Sequence, residues 1–430
     1  MPNFILPLGY SAILLFIIGK FNFFTVPGIS IRKVQILFGI KICAGMMITY
    51  LGFYHFRNLD MVGYFESSQK LFHLSLTDPI QFLKIMIGIE NYDAVVFLNG
   101  VPGWYTYPWD MGLNDNRIIL RLNTFISFLS TGNPFVHALF FCFFSMTGII
   151  QVLKVSATYL SKSAIQIAMY GMLFLPGLLC WTSVISKESW AVFLIGMLLF
   201  SIQKLFSNRQ RIKGVIFLLL ILLLFIYSKA YLLIILIPSL ISWTICHFKK
   251  TKRTPLVFFT THIIAVFIVV VSGMINPYLN PTWIVYQKQA NFIKFSADAD
   301  PRTKFELQEL QPSYESFLSN IPEALINPIV HPSPTELKNK LLIPFFLENI
   351  ILVLLFAFLL YQRNINVQNP MNWMALYFFV GVFLLIGMTI PITGLLIRLK
   401  VPAILLLCLL FAESLSRNQQ FRTGISGDKT

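Results

Sequence analysis

The sequence predicts an all-α, polytopic integral membrane protein. Of its residues, 56% are hydrophobic and only 12% are charged, and the apolar residues form long runs with very few charges, such as residues 215–226 and 403–412. An apolar run of about 20 residues has the length that a helix needs to cross the hydrocarbon core of a bilayer. This composition is far from that of an average soluble domain. We therefore predict one transmembrane domain that covers residues 1–430.

About eleven apolar runs are predicted to cross the membrane. No positively charged segment precedes the first run and no small-residue cleavage site follows it, so we interpret it as a retained helix and not as a signal peptide. The two runs on either side of Lys229 are short, which leaves a kinked pair open as an alternative to two separate crossings. The predicted spans are residues 4–19, 34–54, 135–153, 164–182, 189–205, 213–228, 231–247, 256–274, 345–361, 372–390 and 399–414.

The positive charges between these runs predict their orientation. Lysine and arginine are enriched in the short cytoplasmic loops of membrane proteins. In this chain they cluster at residues 20–33, 204–213, 249–253 and 417–429. This pattern predicts an amino terminus outside the cell and a carboxyl terminus in the cytoplasm. With that orientation, Glu413 and Asp428 are the only acidic residues on the cytoplasmic side.

Two large extracytoplasmic loops follow from this topology, at residues 55–134 and 276–344. Within the first loop, apolar side chains recur at helical spacing over residues 64–76 and 116–129. Such spacing is typical of short amphipathic helices that lie along a membrane surface. Asn114 and Asp115 precede the second of these segments and are predicted to cap it.

Charge and cysteine content exclude other classes of protein. The net charge of +15 raises the question of nucleic acid, but the cations lie in loops between apolar runs, where membrane topology explains them. The five cysteines contain no CxxC pair and lie in or at the ends of apolar runs. They are neither a disulfide framework nor a zinc site, and small buried side chains are the better interpretation.

The first candidate for chemistry is Asp60, just beyond the outer end of the second predicted span. Tyr64 follows it by one helical turn. A carboxylate at this depth is suited to act as a general base that takes the proton of an acceptor hydroxyl. It is also suited to bind a metal together with Glu66. A solvated or helix-capping acid remains the alternative, because acidic residues are common at surfaces.

The second candidate is the turn that ends in Ser186-Lys187-Glu188. Ser186 is predicted to cap the following helix, whose free backbone N–H groups and positive dipole end would then lie beside Lys187. This combination suits a phosphate at the membrane surface. The alternative is that Lys187 extends from a helix end to the headgroups and that Glu188 complements the helix dipole.

Further cations are predicted at the same outer interface, where arginine and lysine are disfavoured. Recognition of an anionic lipid phosphate is one explanation, and general contact with lipid headgroups is the other. These cations are Arg121, Lys229, Arg398 and Lys400. Lys41 lies inside the second span and is predicted to face the helix bundle or a wet cavity, because a charge in lipid is costly.

The last candidates are His331 and Glu348. His331 lies in the proline-rich stretch of residues 327–334, where it is either an acid–base group or a structural side chain. Glu348 lies one turn inside an apolar span, which favours a functional or paired role over solvation.

Together these residues resemble bacterial membrane proteins of cell-surface polysaccharide assembly, of the GT-C glycosyltransferase and oligosaccharide-polymerase type. The motifs that carry the resemblance are short and span most of the chain. They are Asp60 with Tyr64, the Pro-x4-Trp-x5-Lys-Glu turn (Pro176, Trp181, Lys187, Glu188), the pair Glu348-Asn349, and Arg398-x-Lys400-x-Pro402.

The resemblance implies inverting transfer of a sugar from a polyprenyl-phosphate-linked donor to a glycan or lipid-linked acceptor, at the outer face of the bacterial inner membrane. It implies that Asp60 is the catalytic base or a metal-binding residue, and that the basic groups hold the donor phosphate. The residues predicted to bind the substrate are Tyr64, Glu66, Arg121, Lys187, Glu188, Lys229, His331, Glu348, Arg398 and Lys400. A divalent cation stays open as a cofactor. The chain lacks an Asp-x-Asp pair near Asp60, which leaves open a polymerase that uses arginines instead of an acid.

Two further hypotheses stay open, a transporter or flippase and a non-catalytic scaffold. The chain shows no paired halves with corresponding broken helices, which disfavours a transporter. Aromatic residues of the outer loops are suited to stack on sugars, although an interfacial belt is their more common role. These residues are Trp104, Tyr105, Tyr107, Trp109, Trp283 and Tyr286.

Overall fold

A computed structural model describes residues 4–56, 60–105, 115–206, 211–299, 301, 303–362 and 366–423. Over these ranges the protein is helical, and β pairing is limited to two isolated bridges. The predicted all-α class is therefore confirmed. The chain forms two compact units, of which the first contains residues 1–155 and 179–230 and the second contains residues 156–178 and 231–430.

The α-helices follow one another in chain order from α1 to α18. They are α1 (Ile5–Lys20), α2 (Ile31–Leu51), α3 (Asp60–Thr77), α4 (Pro79–Ile87), α5 (Tyr92–Asn99), α6 (Asp115–Ser130), α7 (Pro134–Ser156), α8 (Lys162–Phe174), α9 (Pro176–Trp181), α10 (Lys187–Leu205), α11 (Arg211–Lys249), α12 (Thr254–Ile275), α13 (Pro281–Ala299), α14 (Tyr314–Val330), α15 (Ile343–Gln362), α16 (Pro370–Thr389), α17 (Thr393–Leu399) and α18 (Val401–Thr423).

Eight helices within the described ranges are long and apolar enough to cross a membrane. A chain with several such helices is a multi-pass membrane protein, as the sequence predicts. The eight are residues 31–56, 134–156, 187–205, 212–249, 254–275, 340–362, 370–389 and 401–418. The helix over residues 254–275 has only 11% of its apolar window buried inside the protein, so most of its side chains face away from the protein interior.

The predicted span at residues 164–182 is instead two shorter helices, α8 and α9. The break falls at Leu175, whose ψ of 127° is extended, directly before Pro176. A proline ring disfavours the helical conformation of the preceding residue and supplies no N–H to the helix ladder. The proline inside this apolar run is therefore the physical cause of the difference.

The two predicted runs around Lys229 form the single element α11. Lys229 itself has φ −148° and ψ 55°, which are not helical, so two helices meet at this residue. A straight helix of this length would extend on the order of 60 Å, about twice the hydrocarbon thickness of a bilayer. The division between the two compact units follows directly, after Ala230.

The polar segments are more helical than the sequence indicates. The two predicted amphipathic helices lie within α3 and α6, while α4, α5, α13 and α14 were not predicted. Local signals for α4 are nevertheless present. Its N-cap Asp78 accepts a hydrogen bond from the backbone N–H of Gln81, Pro79 is its first residue, and Gly88 ends it with φ 90°, each in a position that such residues favour.

Helices α7 and α10 cross in close backbone contact. A Cβ atom added to Gly148 would meet the Val192 carbonyl oxygen and would lie 2.6 Å from Cα of Phe193. A Cβ atom added to Gly196 would meet the Gly148 carbonyl oxygen and would lie 2.6 Å from Cα of Gly148. Small residues permit this approach, which is a common way for membrane helices to pack.

A cage of amide groups surrounds Glu413 on α18. Its Oε1 accepts a hydrogen bond from Asn366 Nδ2 (3.1 Å), and its Oε2 accepts from Asn369 Nδ2 (2.8 Å) and Asn372 Nδ2 (2.6 Å). Arg417 Nε lies 3.4 Å from Oε1. These contacts fasten the chain before α16 to the second half of α18 and satisfy a carboxylate that is largely buried.

Candidate functional site

The predicted site residues divide between the two units. Those of the first unit are Asp60, Tyr64, Glu66, Arg121, Lys187, Glu188 and Lys229, and those of the second are His331, Glu348, Arg398 and Lys400. In each unit, helix ends and loops position these side chains.

The start of α10 carries the predicted cap. Ser186 has an extended backbone, and its Oγ accepts a hydrogen bond from the Ser189 N–H at 3.0 Å. The prediction that Ser186 caps this helix is therefore confirmed. The cap puts Lys187 and Glu188 in the first helical turn, where the positive end of the helix dipole favours an anion.

Lys187 reaches the helix that begins with Asp60. Its Nζ lies 6.0 Å from the centroid of the Tyr64 ring, at the outer limit of a cation–π contact. The Tyr64 hydroxyl donates a hydrogen bond to Asn116 Oδ1 at 3.1 Å. Asp60 is the exposed first residue of α3, one turn before Tyr64 and on nearly the same side of the helix. The first unit thus brings Lys187 to the face of α3 that bears Asp60.

Glu66 is exposed and points away from that face. It lies about 120° around the helix from Asp60, so the two carboxylates do not face a common point. Among the residues that the structure describes, no group of three or more His, Cys, Asp or Glu side chains is arranged to hold a metal.

Glu188 and Lys229 form a buried ion pair. Lys229 Nζ lies 3.8 Å from Glu188 Oε1, and the two side chains are 5% and 1% exposed. Next to it, Trp190 Nε1 donates to Ser228 Oγ at 2.9 Å. The charge of Lys229 is therefore offset by a carboxylate at the break in α11, whereas Lys187 extends to an aromatic ring.

Arg121 belongs to a cluster of aromatic and charged side chains in the first polar segment. Its guanidinium lies 4.9 Å from the Trp104 ring centroid and donates to the Ile85 carbonyl at 3.1 Å. Burial, and next the charge of Arg117, lower the pKa of Arg121. In the same cluster Glu90 accepts hydrogen bonds from Arg117, Trp104 and Tyr105.

The aromatic residues predicted to stack on sugars have different environments. Trp104 is fully buried, and burial with the hydrogen bond to Glu90 raises the pKa of Tyr105 to about 12. Trp283 is 43% exposed and its ring lies 5.6 Å from that of Tyr286. Tyr107 and Trp109 lie outside the described residues, as does the predicted cap Asn114. The buried Trp104 is therefore a packing residue and not a sugar platform.

In the second unit, His331 is held by a carboxylate. His331 Nδ1 lies 2.8 Å from Glu336 Oε2, and the Phe305 ring stacks on the imidazole with centroids 3.8 Å apart and planes 13° apart. Hydrogen bonds come to Glu336 from the Ser333 N–H (2.6 Å) and from the Thr393 hydroxyl. Within the described part of the chain, the Nε2 atom of His331 contacts no hydrogen-bonding partner.

The same contacts control the charge of Glu336. Burial alone would raise its pKa, but the hydrogen bonds from Ser333, Thr393 and His331 outweigh burial and lower the pKa below its ordinary value. The carboxylate form is therefore favoured. A carboxylate that accepts Nδ1–H fixes the tautomer and leaves Nε2 able to accept a proton.

Glu348 and Lys400 form a second buried ion pair. Lys400 Nζ lies 3.9 Å from Glu348 Oε1, and both side chains have no solvent exposure. Glu348 Oε2 accepts the Gly177 N–H at 2.5 Å, and Lys400 donates to Asn349 Oδ1. Asn349 Nδ2 in turn donates to the His331 carbonyl at 2.9 Å. Glu348 is therefore paired, which is one of the two roles that its position in an apolar span predicts.

This environment does not fit contact between Lys400 and a lipid phosphate. The ammonium is completely buried, and the carboxylate of Glu348 offsets its charge. Arg398, two residues earlier at the end of α17, is 7% exposed. Lys400 therefore contacts Asn349, which in turn donates a hydrogen bond to the backbone carbonyl of His331.

Sequence reasoning missed several partners of these residues. Glu336 had a local signal, since Ser333-x-x-Glu336 is the capping-box spacing and the box is formed. Phe305, Asn116 and Thr393 had none, because each contacts a residue far away in the chain. Gly177 matters because a Cβ atom there would lie 2.8 Å from Glu348 Oε1.

One other arrangement has the elements of a nucleophilic triad. Ser130 Oγ lies 2.8 Å from His137 Nε2, and His137 Nδ1 lies 2.8 Å from Asn123 Oδ1. All three side chains have no solvent exposure, so no substrate can reach Ser130. These hydrogen bonds join α6 to α7. Lys41 is likewise buried, as predicted, and donates to Thr182 and Ser183.

The candidate site is therefore two sets of side chains, each defined within its own unit. In the first unit, Lys187 at a capped helix start approaches the helix of Asp60. In the second unit, Glu336 holds the His331 imidazole, and Asn349 links the His331 carbonyl to the buried pair of Glu348 and Lys400. No family model, curated protein or solved structure matches the chain.

Proposed function

We propose that the protein is a glycosyltransferase of the bacterial inner membrane that uses a polyprenyl-phosphate-linked donor at the extracytoplasmic face. The proposal includes about eleven crossings, with the amino terminus outside and the carboxyl terminus in the cytoplasm. The observation that carries it is the approach of Lys187, at a serine-capped helix start, to Tyr64, one turn from Asp60.

The proposed reaction uses these groups in distinct roles. Lys187, at the positive end of the α10 dipole, binds the donor phosphate. The acceptor hydroxyl attacks the anomeric carbon, whose bond to the phosphate oxygen breaks with its electron pair going to the phosphate. Asp60 takes the proton of the hydroxyl. The product is a glycoside of inverted configuration and a polyprenyl phosphate.

The test is transfer of a labelled sugar from a polyprenyl-phosphate donor by membranes that contain each variant. Asp60→Asn and Lys187→Ala are each expected to lower the transfer rate at least about 100-fold, the usual contribution of a general base or a phosphate-binding group. Insertion and yield should stay normal, since Asp60 is exposed and Lys187 lies at a helix end.

Two matched controls are available in the chain. Asp93→Asn removes another exposed acid from the first turn of a helix, and Lys162→Ala removes the lysine that follows the cap Ser161 of α8. Both controls are expected to keep transfer within about twofold. Full transfer in the Asp60 and Lys187 variants would refute the proposal, and flux of an unchanged lipid-linked sugar into vesicles would identify a transporter.

A second candidate function is a lipid-linked oligosaccharide polymerase without an acidic base. The 2.8 Å contact between His331 and Glu336 favours it, because a carboxylate-held imidazole is suited to accept a hydroxyl proton. Under this candidate, His331→Gln lowers polymerisation about 100-fold and Asp60→Asn does not. Glu336→Gln gives a smaller loss, since it removes orientation but keeps the imidazole. Normal polymerisation in His331→Gln would exclude it.

A further inference from the structure

The end of α10 and the start of α11, on the predicted cytoplasmic side, border an open cavity of about 230 Å³. It is lined by Lys204, Lys213, Gly214 and Phe217. All of these residues belong to the first unit. We propose that this cavity binds the phosphate group of an anionic membrane lipid. The inference does not depend on the proposed glycosyl transfer, which concerns other residues.

The charge of the cavity is positive and not neutralised. Lys154 lies close enough to Lys204 for the two charges to repel each other, while its Nζ donates to the carbonyls of Asn22 (3.0 Å) and Phe23 (3.3 Å). Within the described part of the chain, no carboxylate lies within ion-pair distance of Lys154, Lys204 or Lys213. Like charges held this close favour a bound anion.

The lining of the cavity also has an apolar part, which Phe217 forms. Lys204 Nζ lies 4.7 Å from the centroid of the Phe200 ring, and Phe217 lies one turn beyond Lys213 on α11. At Gly214 a Cβ atom would lie 2.9 Å from Leu205 Cδ2, so the glycine lets the two helix ends come together. A cavity lined by two lysines and a phenylalanine suits an amphipathic ligand.

The surface beyond the cavity favours a lipid over free phosphate. Ile216, Leu219 and Leu220 continue α11 and are 64%, 60% and 49% exposed. An acyl chain attached to a phosphate at Lys204 and Lys213 would lie along this apolar surface. Anionic lipids are attracted to basic segments at the cytoplasmic face.

The test measures retention of phosphatidylglycerol by the full-length protein in native mass spectrometry, with phosphatidylcholine as the neutral comparison. Lys204→Gln/Lys213→Gln is expected to weaken retention of one phosphatidylglycerol at least about tenfold. Lys204→Arg/Lys213→Arg, which keeps the charges, should retain it, and this variant excludes loss of folding as the cause.

The matched control is Lys250→Gln/Lys252→Gln, which removes two exposed lysines from another basic loop on the same predicted side. It should retain the lipid. Equal loss in both glutamine variants would overturn the proposal in favour of general attraction to a basic surface. No loss in either variant would show that these lysines do not hold the lipid and would overturn it as well. If the wild type retains inorganic phosphate but not phosphatidylglycerol, the ligand is free phosphate and the assignment to a lipid is overturned.

Discussion

Lys400→Met is expected to destabilise the protein by about 3–5 kcal/mol, because it leaves the Glu348 carboxylate buried without its cation. Neither side chain is exposed, and the nitrogen–oxygen distance is 3.9 Å. The substitution also removes the donor to Asn349, which holds the His331 carbonyl. The measurement is thermal unfolding of the purified protein in detergent, monitored as the fraction of protein that remains monodisperse.

The control for this prediction removes both charges. In Glu348→Gln/Lys400→Met no ion is left buried, and the glutamine oxygen can still accept the Gly177 N–H. Replacing a buried ion pair as a unit is often neutral, whereas breaking it is costly. The double variant is therefore expected to unfold at a higher temperature than Lys400→Met. If the two variants unfold at the same temperature, the buried ion pair does not stabilise this region.

The second large effect is expected at the crossing of α7 and α10. Gly148→Ala and Gly196→Ala each place a methyl group against backbone atoms, which cannot move aside as a flexible side chain can. The helices must separate, at a cost of about 1–3 kcal/mol and more where the backbone does not yield. The measurement is the same thermal unfolding, with Gly39→Ala in α2 as the control.

Gly39 has no atom within 4 Å of an added Cβ. Its replacement by alanine should be neutral or slightly stabilising, because alanine is the better helix former. Equal unfolding temperatures for Gly39→Ala and Gly148→Ala would contradict the close crossing. A shift of α10 would also displace Lys187, so Gly196→Ala is expected to lower transfer together with stability.

The sequence predicts the class of fold because that information is local. Membrane helices are recognised from their own apolar runs, and Ser186 is recognised as a cap from its neighbours. The break at Leu175 also has a local cause, because Pro176 lies inside the apolar run.

The site could be predicted only in part. Asp60, Lys187 and His331 are suited to chemistry by residue type and position. Their partners depend on packing between segments distant in the chain: Lys187 meets Tyr64 more than a hundred residues away, and Thr393 reaches Glu336. The sequence indicates that Lys400 is positively charged. It does not indicate that Lys400 is buried or that the Glu348 carboxylate offsets its charge.

The amide cage around Glu413 has an evolutionary consequence. Apolar spans tolerate exchange among aliphatic residues, so two chains with this fold can diverge until little more than a hydrophobic pattern is shared. Donors that converge on one carboxylate have less freedom, because loss of the acid leaves amides unsatisfied and loss of an amide leaves part of a charge unsatisfied. Residues 366, 369, 372 and 413 are therefore expected to covary among descendants of a common ancestor, and their spacing is a sharper fingerprint of kinship than any single transmembrane helix.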